Sequence, residues 1–165
     1  MCKYRKKFLL VILISLVFCN LTACAEADET RKTRDKIDVS INDLKLGQKV
    51  PTKMTSREYL VMDADYRYIH GDVGFDVDGE NRIDYLCFFA TFNTDGDNLG
   101  FEDANIVYKG TAFDDFNDMV AYFEENNQVA EGTEDSDILS YEDDTCKVRV
   151  YFNEEDFSGI VIKYK

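Results

Sequence analysis

Two stretches of strict alternation constrain this chain more than anything else in it. In the first, Val73, Phe75 and Val77 alternate with Gly74, Asp76 and Asp78. In the second, Cys146, Val148, Val150 and Phe152 alternate with Lys147, Arg149 and Tyr151, and then Ile160, Ile162 and Tyr164 alternate with Val161, Lys163 and Lys165. A side-chain period of two marks a strand with one buried face. Asp78-Gly79 supplies turn residues, which predicts a first hairpin returning through Ile83 to Phe92. Tyr85-Leu86-Cys87-Phe88-Phe89 is apolar on both faces, as suits a central strand. Asn153 to Ser158 is expected to turn the second hairpin.

A sheet of this kind needs an apolar cover. Phe113, Phe116, Val120 and Phe123 recur at steps of three, four and three, which predicts a helix over 112–126. Thr111 is placed to cap it, with Asp114 and Asp115 in its first turn and Asn126-Asn127 as a stop. Earlier, Thr55 and Glu58 have the spacing of a capping box, which favours a short helix from Ser56 to about Ala64. Tyr59-Leu60-Val61 favours a strand in the same place, and both readings stand. The predicted fold is therefore α+β, an antiparallel sheet packed against one or two short helices.

The same alternation divides the second hairpin's charge. If Val148, Val150, Phe152, Ile160 and Ile162 face the helix, Lys147, Arg149, Tyr151 and Lys163 share the outer face. They are the candidate binding residues, since Arg and Tyr are enriched at interface hot spots. The competing reading has these cations neutralising Glu142, Asp143 and Asp144 across the sheet.

Ahead of the folded part, Lys3, Arg5, Lys6 and Lys7 precede an apolar run from Phe8 to Phe18. That is the charged head and short apolar core of a secretory signal. The run is about a dozen residues, whereas a bilayer span needs roughly 20. Leu21-Thr22-Ala23-Cys24 follows, and it resembles the lipobox of bacterial lipoproteins. The resemblance implies a diacylglyceryl thioether on Cys24 and cleavage just before it. Two acyl chains on one Cys make a stable attachment where a single chain is marginal. Residues 1–23 are thus expected to be a signal peptide, 24–36 a lipidated Cys and polar tether, and 37–165 the domain. The expected place is the extracytoplasmic face of a cell membrane.

Charge narrows the partners. The chain carries 19 Lys and Arg against 33 Asp and Glu, a net −14, and the leader takes four basic residues and no acids with it. So acidic a protein is a poor match for nucleic acid or anionic headgroups. Cys87 and Cys146 remain in the domain, where they could pair or serve as small core residues. His70 stands alone among histidines and reads as a turn or surface residue. Asn93 to Glu102 has a partial calcium-loop look, but counting back from Glu102 puts Thr91 first and Asn98 eighth, where an acid and an apolar residue belong. No catalytic residue, metal ligand or cofactor is assigned.

The two halves, 37–92 and 104–165, read as copies. Leu44-Lys45-Leu46-Gly47 and Val107-Tyr108-Lys109-Gly110 each lead in, and each half ends in a hairpin. Such self-similarity suggests a tandem duplication of a helix-plus-hairpin unit, although chance alternation in two hairpins would look the same. A lipobox followed by Gly-led helices, each with an antiparallel hairpin, resembles the β-lactamase-inhibitor-protein fold, which small outer-membrane assembly lipoproteins share. It is clearest over 106–164. The resemblance implies protein binding through the sheet face and loops, without catalysis. The function expected is a non-enzymatic protein- or envelope-binding module. The alternatives are an envelope enzyme using carboxylate acid/base chemistry and a structural or assembly lipoprotein.

Overall fold

In the computed structural model the described residues are 36–56, 66–90, 99–126, 128–129, 138–153 and 156–165. The leader, Cys24 and the tether up to Asp35 lie outside them, as do 57–65, the calcium-like stretch from Thr91 to Asn98, and the acidic loop over 130–137.

The alternation becomes a seven-stranded antiparallel sheet. Its strands are β3 (Tyr68–His70), β4 (Val73–Val77), β5 (Ile83–Phe89), β8 (Gln128–Val129), β9 (Ile138–Glu142), β10 (Cys146–Asn153) and β11 (Asp156–Tyr164). They lie in the order β3-β4-β5-β11-β10-β9-β8. The central place expected for Tyr85 to Phe89 is observed, with β5 between β4 and β11. The first turn is longer than Asp78-Gly79 alone. The Asp78 carboxylate accepts from the Glu80 and Arg82 amides at 2.9 Å, and Asn81 takes the left-handed conformation at φ 63°. The second turn is shorter than expected, since β11 already begins at Asp156.

A second sheet has four short strands, β1 (Val39–Ile41), β2 (Leu44–Lys45), β6 (Ile106–Tyr108) and β7 (Thr111–Phe113), in the order β2-β1-β6-β7. Here the helix prediction needs correction. Thr111 to Phe113 pairs with β6, with Ile106 opposite Phe113, so these residues are strand. The helix α1 runs Phe116–Asn126, and its cap is Asp115, not Thr111. The Asp115 carboxylate accepts from the Asn117 and Asp118 amides at 2.8 and 3.3 Å. The fully buried helical residues are Met119 and Phe123, while Phe116 and Val120 are half-buried.

One core joins both sheets and α1. Val39, Ile41, Ile106 and Tyr108 of the small sheet meet Phe75, Leu86, Val148, Val150, Ile160 and Ile162 of the large one. Phe123 stacks on Tyr141 at 4.7 Å between ring centroids, and Phe116 reaches Phe157 at 5.6 Å. The inner faces expected for β10 and β11 are therefore the ones buried, apart from Phe152, which a register shift after Tyr151 leaves half-buried.

The two halves meet twice, in the same manner. β1 pairs with β6 antiparallel about Ser40 opposite Val107. β5 pairs with β11 antiparallel about Cys87 opposite Val161. Around each seam the strand order mirrors itself: β2-β1 against β6-β7, and β3-β4-β5 against β11-β10-β9.

Candidate binding face

Register decides which side chains share the outer face. Lys147 stands opposite Lys163, and Lys163 opposite Tyr85. Two residues along, Arg149 stands opposite Val161, and Val161 opposite Cys87. Two further, Tyr151 stands opposite Gly159, and Gly159 opposite Phe89. The four residues singled out by alternation are thus brought together, and they line one open depression with Tyr85 and Val161, of about 390 Å³. Val161 shares the parity of Lys163 on its own strand, but Tyr85 escapes a reading of the sequence because nothing local says that β5 lies beside β11.

The floor beside this depression is apolar. Tyr66, Cys87 and Val161 are buried in a cluster of their own, with Ile69, Tyr85, Phe89 and Tyr151 packed against them. Gly74 is required there, because an added Cβ would lie 2.6 Å from the Cys87 sulfur and 2.7 Å from the Tyr66 ring. Burial, then the neighbouring Cys87, pushes the Tyr66 phenol up to about 12, so it stays protonated. The rings of Phe89 and Tyr151 lie 5.4 Å apart, with Phe89 over Gly159.

The cations are not equivalent. Lys147 reaches Glu142 at 3.2 Å, and Lys165 holds the other oxygen of Glu142 at 2.8 Å. Asp143 and Asp144 are taken by Lys109, at 2.7 and 3.4 Å. Among the described residues, Arg149 and Lys163 have no carboxylate oxygen within 4.0 Å. Neutralisation of neighbouring acids therefore accounts for Lys147 and leaves Arg149 and Lys163 directed at solvent, both exposed.

A half-buried polar centre, unread in the sequence, lies at the β9–β10 turn. Asp143 accepts the Tyr108 hydroxyl at 2.6 Å, and its other oxygen accepts the Thr145 and Cys146 amides at 2.7 and 2.8 Å. With Lys109 on the first oxygen, the carboxyl is fully occupied and joins the small sheet to the large one. The signal was local: an Asp two and three residues before its amide donors forms an Asx turn. Its partners on β6 were not local. Cys87 and Cys146 are buried and are not joined in a disulfide; Cys87 faces the outer cluster and Cys146 the main core, with β11 between their strands. Burial pushes the Cys146 thiol up to about 12. His70 is half-buried on β3, with Asp43 at 3.4 Å.

Cations and phenols line the depression, and among the described residues no acid lines it. Among the described residues no three His, Cys, Asp or Glu side chains form a group able to hold a metal. The chain matches no known protein-family profile, no curated protein and no solved structure.

Proposed function

We infer that this chain is a membrane-anchored extracytoplasmic lipoprotein whose domain is a non-enzymatic binding module, engaging an acidic protein or envelope component through the outer face of the large sheet. One observation carries the reading. On a chain of net charge −14, Lys147, Arg149 and Lys163 meet Tyr85 and Tyr151 at a single depression. Complementary charge of this kind steers a partner and fixes its register. The face also agrees with what the resemblance implies, binding through a sheet. The anchor rests on the lipobox-like stretch ending in Cys24. Among the described residues no helix is long and apolar enough to cross a membrane.

Two measurements test the two parts. Cys24→Ala should release the protein from the membrane fraction and leave it without the acyl mass; retention with unchanged mass would refute lipidation. Arg149→Glu with Lys163→Glu, in a protein that melts like the parent, should lose whatever the tethered domain captures from intact cells. An equal yield of captured partner would place binding elsewhere.

A further inference from the structure

The cation arrangement carries more information than its sign. Lys147 and Lys163 are directly opposed on neighbouring antiparallel strands. Like charges so placed oppose pairing, with Cβ atoms only about 5 Å apart. Glu142 draws Lys147 toward β9, away from Lys163, and Arg149 then adds a third cation to the same depression. An anion seated among the three removes this repulsion.

The balance of charge says which anion. Arg149 and Lys163 have no carboxylate partner among the described residues, so two positive charges stand uncompensated where one carboxylate would bring a single negative charge. A phosphomonoester carries about −1.5 to −2 at neutral pH, and the Arg fork matches its geometry. The rest of the ligand is set by what flanks the charge. Tyr85 and Tyr151 line the depression, with Phe89 packed against Tyr151 at 5.4 Å. An aromatic ring with a hydroxyl presents an apolar face and a polar tip. The C–H face and hydroxyls of a sugar ring complement that combination.

The acidic remainder of the protein limits the partner's bulk. Charges interact over a Debye length of about 8 Å at physiological salt. A globular acidic protein or an anionic membrane would set much of its own charge against the net −14. A thin chain with a phosphate touches only the basic island and leads away from it. Accepting the outer face as the binding surface, on which this inference rests, we propose that its ligand is a phosphate-bearing glycan. Arg149 and Lys163 hold the phosphate, Lys147, already paired with Glu142, stands at its rim, and the adjoining sugar lies against Tyr151.

The test is calorimetry on the intact lipoprotein in neutral detergent, with a mannan carrying phosphomonoesters as the probe. The same mannan after phosphatase treatment, inorganic phosphate and polyglutamate are the comparisons. The phosphorylated mannan should bind at least tenfold more tightly than any of the three. Arg149→Gln with Lys163→Gln, which spares the fold the reversed charges, should weaken that binding at least tenfold at an unchanged melting temperature. Tyr151→Ala should weaken binding of the glycan and leave that of inorganic phosphate unaltered. Equal binding of the dephosphorylated mannan overturns the proposal. Polyglutamate binding better, and losing that binding in the Gln pair, overturns it too while leaving the outer face as the site. Insensitivity of every probe to the Gln pair overturns both readings.

Discussion

Asp143 is the residue on which the two sheets depend together. Burial by itself would raise its pKa. The Lys109 ammonium, the Tyr108 hydroxyl and the Cys146 and Thr145 amides outweigh that and bring it from 3.8 down to about 2. The Tyr108 phenol moves up, chiefly through burial and then through its bond to Asp143, so it remains the donor at every ordinary pH. A carboxyl depressed on folding contributes stability that is complete above its unfolded pKa and lost as pH falls through the folded one. The contribution here is about 2 kcal/mol, present above roughly pH 4 and fading toward pH 2. Urea midpoints measured at pH 5 and pH 2.5 should fall further apart for the parent than for Asp143→Asn. Identical pH dependence in the two proteins would refute this role.

At the scale of the element, α1 shows where sequence spacing helps and where it stops. The steps through Phe113, Phe116, Val120 and Phe123 identified an apolar stripe, and Phe123 is indeed fully buried. Phe113 is buried too, but from β7, because Thr111 to Phe113 finds a strand partner in Ile106 to Tyr108. That pairing belongs to the fold of the chain around Lys109-Gly110, both at positive φ, and it overrides the helical period. Phe123→Ala should cost about 3–5 kcal/mol, the usual range for a buried Phe. Phe116→Ala should cost visibly less, since Phe116 is only half-buried. Asp115→Ala should cost about 1 kcal/mol through the lost cap. Chemical denaturation of the three variants checks the order, and equal losses for the two Phe variants would show the stripe to be wrongly assigned. The outer face follows the same logic. Alternation alone sorted Lys147, Arg149, Tyr151 and Lys163 to one side, because strand parity is local. Tyr85 joined them only through the pairing of β5 with β11, which is not.

For the whole molecule, the two seams matter most. Ser40 opposite Val107 and Cys87 opposite Val161 are the places where the first half of the chain ends and the second begins in space. Neither half owns a complete sheet: each leaves one edge of β1 or β6 and one edge of β5 or β11 open until the other arrives. An open edge of that sort is a template for strand addition. The backbone can therefore be cut between Ala90 and Leu99 without severing any described strand. The two pieces, produced separately, should each show little fixed tertiary signal in near-ultraviolet circular dichroism. Mixed in equal amounts, they should recover the parent's spectrum, as the partners in a split reporter do. A piece that regains the signal alone would show that half to be self-sufficient. Because Tyr85 comes from one fragment and Arg149 and Lys163 from the other, anion capture by the mixture would itself report that the fragments have met.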